Sequence, residues 1–320
     1  MARGRVSLGV DLNGVRLPSP VLGASGTFGS GRELSELVDL TKVGGVITKS
    51  VTRAPVKGMP TPRMVETPSG MLNAIGLQNP GIEQFIRKEG PFIARAGIPV
   101  IVSIAGKSVE EFIQVAAGVH QLPGVVAIEA NISCPNVERR NLVFACYPDM
   151  AAEVVGAVSR LSRLPVFAKL TPDVTNIVEV AEACIRAGAH GLSLINTMLG
   201  MAIDTRTFRP RLGAVMGGLS GPAIRPVAIR AVYEVARALP AVPIIGMGGI
   251  RRSQDAVEFL LAGAWAVAVG TANFWNPHAM IDVGRGLGEF LVERGLSSPA
   301  DLRGRVAVAE GVGEAAHRGG

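Results

Sequence analysis

Long hydrophobic runs are missing from this chain. Apolar residues make up 48% of its 320 positions, yet no segment reaches the roughly 18 uncharged apolar residues that a spanning helix needs. The opening, MARGRVSLGV, has no apolar stretch of the kind a secretory signal carries. A cytoplasmic protein with no membrane partner is expected. Cysteine is scarce: three residues with no C-x-x-C pair fit neither a disulfide framework nor a zinc or iron–sulfur site, so no metal is expected. Aromatics are 4% of the chain, and the basic residues behind its formal charge of +6 are scattered. No stacking platform for nucleic acid is visible. Histidine is sparse too, with four residues. His190 precedes a predicted strand, His120 lies late in a predicted helix and His317 is in the tail, which leaves His278, in NPHAM, as the one near a candidate site. That segment reads more simply as a helix start.

Glycine, by contrast, is abundant, at 40 residues placed at the edges of short apolar runs. Eight runs rich in Val and Ile span 19 to 25, 44 to 50, 99 to 106, 125 to 133, 165 to 170, 191 to 196, 243 to 249 and 266 to 271. Helical patterns follow each, the signal for βα units and a parallel sheet. SVEEFIQVAAGVHQL, NIVEVAEACIRAG and SQDAVEFLLAG are examples, each with a Ser or Asn available as N-cap. Eight parallel units predict an α/β fold, a closed (β/α)8 TIM barrel forming a single domain over residues 1 to 320. Such a barrel needs about 250 residues, and the surplus is expected in an N-terminal hairpin turning at Asn13-Gly14 and in long second and sixth βα loops. RMVETPSGMLNAI, inside the second, reads as another hairpin.

Barrels of this kind place their sites at the C-terminal strand ends. Those ends carry Lys49, Ser103, Asn131, Lys169, Asn196, Gly248 with Gly249, and Gly270 with Thr271, which are expected to converge on one pocket. The glycines of GMGGI and VGT suit a phosphate cradle of bare backbone N–H groups. GASGTFGSG lacks the spacing of a dinucleotide fingerprint. A strand-end lysine can neutralise an anion or, when desolvated, form a Schiff base, and position alone leaves both open for Lys169 and Lys49. With histidine elsewhere, Cys134 in NISCPN is the main candidate for proton transfer, as a thiolate is a competent base once formed. Cys184 reads as core, and Cys146 sits in a connection whose course is not predictable.

ASGTFG, ITKS, NAIGLQNPG, NISCPN, INTMLGMAID, GGLSGPAIRP, IIGMGGI and VGT occur in this order at the expected strand ends. Together they resemble the dihydroorotate dehydrogenases through nearly the whole chain. The resemblance implies FMN bound on the barrel and oxidation of dihydroorotate to orotate in pyrimidine biosynthesis. It places the flavin across Ser25, Lys49, Ser50, Ser103, Asn131, Lys169, Ile195, Gly221, Gly248 and Gly249, with its phosphate at Gly270 and Thr271. Substrate would meet Lys49, the segment Asn73, Ala74, Ile75, Gly76 and Leu77, then Asn131, Asn196 and Thr197. Cys134 would take the C5 proton, and Lys169 would stabilise charge on the flavin ring.

A cysteine base resembles the soluble class. GLQNPG and GGLSGPAIRP are similar to the NAD-linked type, which implies a homodimeric core working with a second subunit that carries FAD and a [2Fe–2S] cluster. Ser103 stands where many relatives have asparagine, and VERRNLVFACYPDM replaces a glycine-rich loop; Arg139 and Arg140 within it read as solvated. The alternatives are a dihydropyrimidine dehydrogenase-like flavin barrel, a fumarate-linked dihydroorotate dehydrogenase, a Schiff-base lyase using Lys169, and a silent subunit of the same fold.

Overall fold

The computed structural model describes residues 6–133, 135–136 and 142–307. All eight predicted runs form strands: β1 (Val21–Gly23), β2 (Gly45–Ile47), β3 (Val100–Ile104), β4 (Val125–Asn131), β5 (Val166–Leu170), β6 (Gly191–Leu194), β7 (Ile244–Met247) and β8 (Ala266–Val269). They close into one barrel whose neighbouring strands pair in parallel. Among the described residues no helix is long and apolar enough to cross a membrane.

Side chains alternate in direction along a strand, and the barrel interior follows from that period. Leu22, Ile47, Ile101, Ala127, Phe167, Ile245 and Ala266 cluster inside, whereas Ile128 and Ala130 belong to the outer core shared with the helices. Phe167 fits because its β6 neighbour is Gly191, where a Cβ would lie 2.4 Å from the ring. Two residues further along the same faces come Ser103, Glu129, Lys169 and Ser193, all buried. The interior therefore turns from apolar to polar toward the C-terminal strand ends.

The opposite mouth is plugged. Strands Val10–Leu12 and Val15–Leu17 pair as the expected hairpin, and Asn13 (φ 54°) and Gly14 (φ 103°) make its tight turn. Leu12, Val15 and Leu17 join the interior cluster. His190 Nε2 lies 3.1 Å from the Leu12 carbonyl oxygen, which puts this histidine at the plugged end.

Helices fill most connections. Ser108 Oγ caps Val109–Val119 by accepting from the Glu111 N–H, and Asn176 caps Ile177–Arg186 through the Val178 N–H. Two expectations need correction. Ser253 is the first residue of helix Ser253–Ala262 rather than its cap, and the Asp255 carboxylate accepts the Arg251 and Arg252 N–H groups instead. The first connection contains no α-helix, only the 3-10 turn Leu40–Lys42. Gly26, Gly29 and Gly31 adopt φ of 82°, 61° and 96° there, a backbone that an α-helix does not accept.

The two long loops are joined. The expected hairpin forms as Met64–Thr67 against Gly70–Asn73, and the sixth connection adds Met198–Met201 and Met216–Ser220, giving one four-stranded antiparallel sheet over the barrel's C-terminal end. Asn73 Nδ2 donates to the Gly218 carbonyl at 3.2 Å, across 145 residues of sequence.

Candidate active site

A cavity of about 400 Å³ opens at the C-terminal ends of the strands, a size typical of small-molecule sites. It gathers Ser25, Lys49 and Ser50 from the first two strand ends, Asn131 and Lys169 from β4 and β5, and Ile195, Asn196 and Thr197 from the end of β6. Gly221, Gly248, Gly249, Gly270 and Thr271 line the far side, and Asn73, Ile75, Gly76 and Leu77 come from the long second loop. Ala74 and Ser103 are not in the lining. The Ala74 N–H donates to the Arg63 carbonyl oxygen within the rim. Ser103 is fully buried on the β3 face beneath Ser50, with their hydroxyl oxygens 2.8 Å apart. Cys134, Arg139 and Arg140 lie outside the described residues.

Several lining residues escaped the sequence reading. Met64, Met71, Ile224, Met247 and Phe274 give the pocket apolar walls, and Thr27 and Ser220 add hydroxyls. Ser220 Oγ accepts from Thr271 Oγ1 at 2.7 Å. Beneath the floor lies Glu129, wholly buried. A signal for it exists in VVAIEANIS: an acid two residues before Asn131 in an apolar strand must share the inward face.

Hydrogen bonds run through the pocket floor. Lys169 Nζ donates to Ser25 Oγ at 2.8 Å and lies 3.8 Å from Glu129 Oε1. That oxygen accepts from Ser103 Oγ at 3.0 Å. Asn131 Nδ2 donates to Ser50 Oγ at 3.0 Å, and Asn196 Nδ2 donates to Asn131 Oδ1 at 3.4 Å. The two amides thus brace one another across the end of β5, which lies between their strands. Each still has hydrogen-bonding capacity to spare, since an amide offers two N–H donors and two carbonyl lone pairs.

The lining is electrostatically one-sided. Among the described residues, Lys49 and Lys169 are its charged side chains, and no Asp or Glu lines it. Burial pushes the Lys49 ammonium below the usual lysine range, the Arg63 charge adds to this, and Glu33 partly offsets it. The negative charge of an anionic ligand would act the other way, favouring the ammonium form as Glu33 does. The backbone contribution is at the glycines: Gly248 and Gly249 have φ of 134° and 79°, and a Cβ on Gly249 would lie 2.7 Å from the Gly221 carbonyl oxygen. Only bare backbone fits there.

The other titratable candidates sit elsewhere. Cys184 is fully buried in helix Ile177–Arg186, and burial pushes its thiol up to about 12. Cys146 Sγ lies 3.8 Å from the Asp173 carbonyl oxygen, its thiol raised by burial and by the Asp173 charge. His120 is the C-cap of helix Val109–Val119, and His278 immediately precedes helix Ala279–Glu293.

An eight-stranded barrel with two lysines, braced amides and a glycine-lined wall at one mouth invites comparison with known proteins. The sequence profile described as dihydroorotate dehydrogenase matches residues 7–291. The chain is 51% identical over 301 residues to the "Dihydroorotate dehydrogenase B (NAD(+)), catalytic subunit" of Geotalea daltonii, covering 94% of this chain and 98% of that one. It is 50% identical over 300 residues to the protein of that name from Alkaliphilus metalliredigens, covering 94% and 99%. With Geobacillus sp. strain WCH70 the figures are 48% over 298 residues, 93% and 95%. A profile match over most of the barrel, with relatives of half-identical sequence along nearly their full length, shows that this chain belongs to the dihydroorotate dehydrogenase family.

Proposed function

We propose that this chain is the catalytic subunit of an NAD-linked dihydroorotate dehydrogenase, which binds FMN and oxidises dihydroorotate to orotate for pyrimidine biosynthesis. One observation carries the reading: a pocket at the strand C-termini whose described lining holds two lysines, no acid and a bare-backbone wall. The residues present fit FMN. Gly248 and Gly249 leave room for close approach, Gly270 and Thr271 offer backbone and hydroxyl to a phosphate, and Lys169 with Ser25 supplies charge and a hydroxyl to a polar ring edge. Bound FMN supplies the two-electron acceptor of the reaction.

The chain's own part is to hold the substrate, take one proton and keep positive charge in place. Lys49 suits the substrate carboxylate. Asn73, Asn131 and Asn196 suit a ring carrying both N–H donors and carbonyl acceptors. Cys134, three residues beyond Asn131 in sequence, is the proposed base for the C5 proton. The apolar walls at Met71, Ile224 and Met247 limit water around these polar contacts.

The purified chain is expected to be yellow and to bleach anaerobically when dihydroorotate is added. A colourless preparation that stays inactive after reconstitution with FMN would exclude the reading, and borohydride trapping of substrate on Lys169 would favour a lyase. The relatives are named catalytic subunits of an NAD enzyme, which supports a separate electron-transfer subunit, proposed to carry FAD and a [2Fe–2S] cluster. Three unclustered cysteines cannot ligate a cluster that takes four, and no dinucleotide fingerprint is present. The isolated chain should therefore reduce dyes with dihydroorotate but reduce NAD poorly until that partner is added. Steady-state assays with NAD, fumarate and a dye check this; brisk turnover with NAD alone, or with fumarate, would show a different electron path.

A further inference from the structure

We infer that Glu129 is a positioning residue for Lys169, and that its charge limits how strongly this lysine draws electrons onto bound FMN; the inference rests on the FMN reading above. Glu129 lies on β4 with no solvent exposure, directly below the pocket floor. Its Oε1 is 3.8 Å from Lys169 Nζ, close enough for an ion pair but beyond a hydrogen bond. Ser103 Oγ donates to the same oxygen at 3.0 Å and holds it beside the ammonium rather than on it.

The rest of the carboxylate is unusually bare. Glu129 Oε2 has no hydrogen-bond partner among the described residues, and neither does Ser193 Oγ, whose residue pairs with Lys169 in the β5–β6 register. Buried polar groups kept only for packing are normally satisfied by donors. Here one hydroxyl serves one oxygen, so most of the negative charge acts on Lys169, in an interior that screens it weakly. Lys169 meanwhile spends one donor on Ser25 Oγ, toward the cavity. Its pull on negative charge in the pocket is thus opposed from below by a fixed carboxylate. A subunit that must release electrons as well as collect them needs such a limit, since an unopposed lysine would hold them.

Glu129→Gln keeps the shape and an acceptor for Ser103 but deletes the charge. Ser103→Ala keeps the charge but frees Oε1 to close on Nζ, which strengthens the opposition. The midpoint potential of bound FMN, measured by equilibration with reference dyes, reads both. Glu129→Gln is expected to shift the redox equilibrium tenfold or more toward reduction, about 30 mV more positive for a two-electron couple. Its reoxidation by an artificial dye should be slower than that of the wild type. Ser103→Ala is expected to move the potential the opposite way. An unchanged or more negative potential in Glu129→Gln overturns the inference, as do shifts of the same sign in both variants, which would mark a packing lesion. Should Glu129→Gln fail to fold, the sign of the Ser103→Ala shift decides alone. A wild-type chain that holds no FMN after reconstitution would remove the parent reading, and this inference with it.

Discussion

Cys134→Ala is expected to retain FMN and to lose roughly 10² to 10⁴ of its rate of flavin reduction by dihydroorotate, the range of positioned general bases. The chain offers few substitutes. His190 is at the plugged mouth against Leu12, Cys184 is inert in the core, and no Asp or Glu lines the pocket among the described residues. Cys134→Ser should recover activity only at higher pH: a hydroxyl is a far weaker acid than a thiol, so its basic form becomes appreciable later as pH rises. Anaerobic stopped-flow reduction across a pH series measures both. An alanine variant that reduces flavin at the wild-type rate would assign the proton to another group, with His278 the first to test.

Lys169→Ala should have the second-largest effect, slowing flavin reduction roughly a hundredfold or more while retaining most of the FMN. Preorganised charge aimed at a site where charge develops contributes about 3 to 4 kcal/mol to the rate. The glycine wall at Gly248, Gly249 and Gly270 does not depend on this side chain, so binding should suffer less. The substitution also strands Glu129 in the barrel interior, and removing one partner of a buried pair costs about 3 to 5 kcal/mol of stability. A lower melting temperature should therefore accompany the lost rate. Equal losses in FMN affinity and in reduction rate would show that Lys169 binds the cofactor without favouring its reduction.

How much of this was legible beforehand differs between barrel and rim. The strands were, because each is a short run rich in apolar residues and bounded by Gly or Pro, a local signal. The helices after β3 and β5 were legible for the same reason, with Ser108 and Asn176 capping as their positions suggest. The first connection misled because a helix was expected after every strand, whereas Gly26, Gly29 and Gly31 at positive φ keep its opening stretch out of helical geometry. For Ser253, the competing acceptor was Asp255, two residues inside the helix, which reaches two N–H groups at once.

By itself the sequence determined the eight strands, their parallel order and the mouth at which polar side chains collect. All of these follow from side-chain period, chain direction and residue type, which are local properties. Only the tertiary structure decided that the second and sixth loops pair into one sheet above that mouth, that Met71, Met247 and Phe274 wall the pocket, that Ser103 lies under Ser50, and that Glu129 stands beneath Lys169. Those contacts join residues far apart in the chain, and their distances are fixed by barrel closure, which no short window of sequence contains.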